Sequence, residues 1–136
     1  MVNYIQITLL TSEQFKQHSD IIPPTDKPWW LQNHWGVNSV YAVSSKNELI
    51  DIFTSYYCGV RPLVGITLIQ ERLINRGDKI RIGSKSFTIL YKDGPITWVL
   101  CDECIAMEMF DERLIKSWEE SHLKQWLETD GVKLIF

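Results

Sequence analysis

The chain has 136 residues, 45% of them hydrophobic and 23% charged, and a formal net charge of −3. That balance excludes a disordered chain and suits a single domain, residues 1–136, with one substantial core. The 14 basic residues are scattered and build no stripe, so no nucleic-acid partner is expected through phosphate contacts.

The first residues, MVNYIQITLLTSEQF, lack a basic leader and a long apolar run. No stretch approaches the ~18 consecutive apolar residues of a membrane span, so neither export nor a membrane partner is expected. Residues 3–10 carry β-branched and aromatic residues in rough alternation, which predicts a strand. TSEQFKQHS then predicts a helix, with Thr11 as cap and Gln14 completing a capping box. Pro23, Pro24 and Pro28 make the next segment a loop.

Three of the six tryptophans, Trp29, Trp30 and Trp35, follow within seven positions. WWL predicts a short buried strand, residues 36–39 a turn, VYAVS a strand, SKNEL a turn and IDIFTSYY another strand. Gly59 breaks that pattern, and Pro62 inside VRPLVGITLI predicts an edge strand or a bulge. Residues 78–103 predict three strands joined at Gly83-Ser84 and Asp93-Gly94. There Ile80, Ile82, Phe87 and Ile89 alternate with polar residues, as for one buried and one wet face. SWEESHLKQWLE predicts the clearest helix, capped by Ser117 and Glu120, with Glu120 paired to Lys124 and Trp118 and Trp126 on its inner stripe. Asp130-Gly131 ends it, and VKLIF predicts a last short strand. Short, mainly antiparallel strands and two short helices define an α+β domain.

Two stretches carry a resemblance. WWL, followed some thirty residues later by GVRP at residues 59–62, resembles a bacterial and phage domain of uncharacterised function. That domain is related to the C-type-lectin-like fold of formylglycine-generating enzymes and of the variable proteins of diversity-generating retroelements. Residues 1–70 resemble its C-terminal half and residues 72–136 its N-terminal half, so the resemblance implies a circular permutant. It further implies that the family's termini lie on neighbouring strands, joined here through LIQERLINRGD, with a domain-swapped homodimer as the other arrangement. It places WWL and GVRP on adjacent core strands, with one of Trp29 and Trp30 facing inward. Arg61 would be partly buried, tied to backbone carbonyls or a carboxylate. Trp29, Trp30, Arg61, Trp118 and Trp126 are thus expected to be structural. The calcium and sugar motifs of C-type lectins are absent, so neither property is carried over.

The remaining chemistry is sparse. Cys101 and Cys104 form a lone C-x-x-C, which by itself falls short of the four ligands of a closed zinc site. With Cys58 they read as buried or inert thiols, with a zinc-stabilised site or a redox pair as the alternatives; no cofactor or metal is expected on the leading reading. Asp102, Glu103, Glu108, Asp111 and Glu112 read as a solvated acidic surface, with contact to a basic partner as the alternative. His18, His34 and His122 assemble no triad, and NRGD at residues 75–78 has a sufficient role as a turn. In the resembled fold, loops beside the core strands build the ligand face. Asn33, His34, Trp35, Asn38, Tyr56 and Tyr57 are therefore the candidate ligand-binding residues, with no catalytic residue among them. The expected function is a non-catalytic protein-binding module of phage or prophage origin, acting in the host cytoplasm as a small inhibitor of a host protein. A glycan- or receptor-binding module on a phage particle is one alternative, and a thiol-dependent enzyme of the formylglycine-generating type is the other.

Overall fold

The computed structural model describes residues 2–36, 38–68, 75–113 and 117–136. Among them, ten strands and two short α-helices make an α+β fold of two five-stranded sheets. The first half supplies β1 (Val2–Thr8), α1 (Ser12–His18), β2 (Trp29–His34), β3 (Ser39–Val43), β4 (Leu49–Phe53), β5 (Tyr57–Val60) and β6 (Leu63–Leu68). The second supplies β7 (Lys79–Ile82), β8 (Lys85–Asp93), β9 (Ile96–Cys101), β10 (Ala106–Met109) and α2 (His122–Trp126).

One sheet runs β1-β6-β9-β8-β7, antiparallel throughout. The other runs β10-β5-β2-β3-β4, antiparallel except where β2 meets β5 at Trp29 opposite Gly59. Both halves of the chain contribute to both sheets. WWL lies on β2 and the Gly59-Val60 of GVRP on the adjoining β5, with Trp29 opposite Gly59. The strands that flank LIQERLINRGD, β6 and β7, are not neighbours, since β9 and β8 stand between them. Within the proposed join, residues 69–74 lie outside the described residues, as does the boundary between the two halves.

The local signals that use neighbouring residues are where expected. Thr11 caps α1, and the Gln14 side chain returns a hydrogen bond to the Thr11 N–H at 2.9 Å. Gly83 and Gly94 take left-handed φ of 60° at the first position of two-residue hairpin loops. The second loop is Gly94-Pro95, one residue later than expected, closed by Asp93 opposite Ile96. A side chain at Gly83 would also strike the Ile135 carbonyl. Gly83→Ala is therefore expected to cost about 1–3 kcal/mol, read as a lower urea midpoint; an unchanged midpoint would show that the turn yields freely.

Several expectations are corrected. Trp29 and Trp30 are both fully buried, on opposite faces of β2 and in different apolar clusters. Trp30 meets Phe110 edge to face at 5.7 Å, in the cluster that holds Val60, Phe87 and Trp118, whereas Trp29 meets Phe15 edge to face at 5.9 Å, in the cluster that holds Leu63 and Leu100. The middle of β8 is likewise buried on both faces, since Thr88 and Leu90 are as enclosed as Phe87 and Ile89. Gly59 lies inside β5 instead of ending a strand, because Cys104 fills the space a Cβ would need. Pro62 sits between β5 and β6, where the chain passes from one sheet to the other.

The C-terminal helix is shorter than its sequence predicts. A 3-10 turn at Trp118–Glu120 precedes α2, which passes into a π segment at Leu127–Gly131. Ser121, not Ser117, is the cap of α2, and it accepts from the Lys124 N–H at 3.0 Å. Lys124 pairs with Glu119 and Glu128, not with Glu120. VKLIF forms a helical turn instead of a strand, which buries Ile135 in the same cluster as Trp30.

Candidate functional site

Large exposed aromatics gather at one end of the second sheet. Trp35, Phe53, Tyr56 and Tyr57 are 58%, 52%, 58% and 61% exposed, where most large apolar side chains are enclosed. Backbone contacts bring them together. Trp35 N–H donates to the Ser39 carbonyl at 3.0 Å, and Ser39 lies opposite Phe53 across β3 and β4. Thr54 N–H donates to the Asn38 carbonyl at 3.2 Å. This bond continues the β3–β4 register by one residue; the chain then turns, with Tyr56 N–H donating to the Phe53 carbonyl at 3.0 Å, so IDIFTSYY is two strands and a turn. The Phe53 and Tyr56 rings meet edge to face, 5.7 Å apart.

Of the six expected ligand residues, five are exposed: His34, Trp35, Asn38, Tyr56 and Tyr57. Asn33 is otherwise engaged. Its side chain accepts from the Ser12 N–H and donates to the Ser12 hydroxyl, both at 2.8 Å, and so binds β2 to the start of α1. Phe53 belongs to the face but was not expected there. Its sequence signal is that of an ordinary strand residue, and only the uncovered edge of β4 exposes it. Val37, in the same loop, lies outside the described residues.

The expected structural residues are enclosed to different degrees. Trp30 Nε1 donates to the Glu108 carbonyl at 2.8 Å, whereas Trp29 Nε1 finds no acceptor among the described residues. Arg61 is fully buried, deeper than the resemblance implies. Its Nε donates to the Cys101 carbonyl at 2.6 Å, its Nη2 reaches the Asp102 carbonyl at 3.5 Å, and its guanidinium lies 4.8 Å from the Trp29 ring centroid. Burial pushes the guanidinium down to about 10, against the opposing pull of Cys104, Asp102 and Cys101. It therefore remains charged at neutral pH. Trp118 is buried, and Trp126 is partly buried against the same core.

The acidic run divides. Asp102 meets Lys79 at 3.1 Å and the hydroxyls of Ser86 and Thr88. Glu103 pairs with Lys85 at 3.3 Å. Asp111 is sealed from solvent, which corrects its reading as a surface residue. Its carboxylate accepts from the Arg113 N–H, Nε and Nη2 and from the His122 N–H, at 2.7 to 3.1 Å. Burial is the largest single influence on this carboxyl and pushes it up. The bonds from Arg113 and from the His122 N–H, with the His122 charge, together outweigh burial and hold it below the ordinary carboxylate value. Glu108 and Glu112 line a cleft beside the aromatic face.

All three cysteines are free thiols. Burial pushes Cys58 up to about 12, helped by Cys104 nearby, and Cys101 up to about 11. Cys104 is raised for the same first reason. Thiolate, the reactive form, is therefore scarce at neutral pH. Among the described residues no group of three His, Cys, Asp or Glu side chains gathers to hold a metal, and no helix is long and apolar enough to cross a membrane. NRGD does not offer a free arginine, since Arg76 forks onto Asp20 at 2.6 and 3.1 Å. Comparison of the chain with protein-family models, with curated proteins and with solved structures finds no match.

Proposed function

We propose that this chain is a non-catalytic protein-binding module that docks a partner on the face formed by Trp35, Phe53, Tyr56 and Tyr57. The observation that carries the reading is the exposure of four aromatic side chains on linked turns and strand ends of one sheet, on a chain that buries Trp29, Trp30, Phe87 and Phe110 completely. Clustered exposed aromatics mark interaction surfaces, and Trp and Tyr dominate binding energy at such surfaces. They also supply contact area at low entropic cost. His34 and Asn38 at the rim provide polar contacts. The raised thiols weigh against nucleophilic chemistry at the cysteines.

We further read the fold as a permuted C-type-lectin-like domain of phage or prophage origin, whose partner is a host protein. The contact of Trp29 with Gly59 and the burial of Arg61 in a structural setting support that reading.

The test is Trp35→Ala/Tyr56→Ala. The two side chains are more than half exposed, so the thermal midpoint is expected to stay within a few degrees of the parent's. Affinity for a partner isolated on the parent is expected to fall by at least about thirtyfold in calorimetric titration, since each ring at a hot spot is worth roughly 2 kcal/mol. A partner bound equally by parent and variant would remove this face from consideration.

A further inference from the structure

The aromatic face continues into a cleft of about 200 Å³ lined by Glu108, Met109, Glu112, His122, Leu123 and Trp126. Main-chain contacts join the two. The N–H groups of Phe110 and Asp111 both donate to the Thr54 carbonyl, at 2.9 and 3.1 Å, directly after Phe53. Met109 lies opposite Tyr57 across β10 and β5. Leu123 N–H donates to the Phe110 carbonyl at 3.1 Å, which seats α2 against the same strand end.

Cleft and face differ in charge. Met109, Leu123 and Trp126 give the cleft apolar walls, and its acidic members are Glu108 and Glu112. Among the described residues, neither carboxylate has a lysine or arginine within ion-pair distance; Glu112 has only His122, Nδ1 to Oε1 at 3.7 Å. Nearby cations are already engaged. Arg113 is held by Asp111 and by the Glu120 carbonyl, and Lys124 by Glu119 and Glu128. The Trp30 indole fixes the Glu108 backbone through its carbonyl.

We propose that the partner presents an arginine that enters this cleft, stacked on Trp126 and held between Glu108 and Glu112, while its flanking apolar side chains cover Phe53, Tyr56 and Tyr57. This rests on the protein-binding reading above and supplies the partner's chemistry. A planar, weakly hydrated guanidinium suits a cleft with an aromatic wall and two carboxylates, whereas a lysine ammonium holds its water more strongly and stacks less well.

The experiment selects a random dodecapeptide library on three immobilised proteins: the parent, Glu108→Gln/Glu112→Gln and Trp35→Ala/Tyr56→Ala, each checked for an unchanged melting curve. On the parent, enriched peptides are expected to share one arginine beside aromatic or aliphatic residues. On the glutamine variant the arginine preference disappears while the apolar residues persist. In the best parent-selected peptide, Arg→Gln is expected to weaken binding to the parent at least about tenfold and binding to the glutamine variant hardly at all. Enriched apolar peptides without a basic residue, lost on Trp35→Ala/Tyr56→Ala, would overturn the arginine cleft and leave the protein-binding reading standing. Arg→Lys without loss of affinity would overturn the stacking on Trp126. No enrichment on the parent would overturn the arginine cleft and remove support from the aromatic face as well.

Discussion

Arg61→Ala is expected to destabilise the chain by about 3–5 kcal/mol, enough to lower the thermal midpoint by roughly 10 °C or more. The substitution strips the Cys101 carbonyl of its Nε donor, and it empties the space beside the Trp29 ring. A carbonyl left buried without a partner and a cavity between packed side chains each cost free energy, and here they coincide. Arg61→Met separates the two. Methionine refills most of the volume against Trp29 but restores no donor, so its loss should be nearer 1–2 kcal/mol. Nη1 has no partner among the described residues, and Nη2 only a long contact, so most of the polar loss belongs to one bond. Urea unfolding of the three proteins at neutral pH measures the series. An alanine variant as stable as the parent would end the structural role and return Arg61 to the candidate ligand residues.

Asp111→Asn is expected to cost about 3 kcal/mol at neutral pH, although it alters only one atom. The carboxylate gathers two main-chain N–H groups and the Arg113 fork, all of them donors. An amide turns two hydrogens of its own toward that set, and bonds to a charged acceptor are worth more than neutral ones. The bonds close the junction between β10 and α2, so their loss should loosen the cleft wall as well as the fold.

The pH dependence of this variant carries its own sign. The charges around Asp111 are Arg113, His122 and the neighbouring Glu112 and Glu120. The hydrogen bonds from Arg113 and from the His122 N–H, with the His122 charge, outweigh burial and hold the folded carboxyl below the ordinary value of 3.8. A depressed folded value means that the unfolded chain takes up the proton first as pH falls. Asp111 therefore contributes its full stabilisation above that ordinary value and loses it as pH falls through the folded one. The stability difference between the parent and Asp111→Asn should be constant near neutrality and shrink in acid. A difference that stays constant into acid would mean that the carboxyl's charge is not what holds the junction.

The face at the end of the second sheet was partly legible. Trp35, Tyr56 and Tyr57 stand out by residue type and loop position, and they are exposed. Asn33 binds Ser12, and nothing near Asn33 announces a partner 21 residues away. Phe53 was missed, since strand alternation cannot tell whether an edge is covered. The cleft was invisible, because Glu108 and Trp126 are brought together only when β10 and α2 pack.

The sequence by itself determined what neighbouring residues decide. The capping box of α1, the hairpin glycines and the proline-rich loop all depend on contacts a few positions apart. Tertiary structure alone decided that Trp29 and Trp30 are both buried on opposite faces, that Asp111 is sealed, and that the C-terminal α-helix is capped by Ser121 and not by Ser117. The strand β10, which follows the acidic C-x-x-C, likewise forms by pairing with a segment some fifty residues earlier. Such contacts draw their free energy from burial and from hydrogen bonds between distant segments, and a local pattern of residue types does not encode which distant segment arrives.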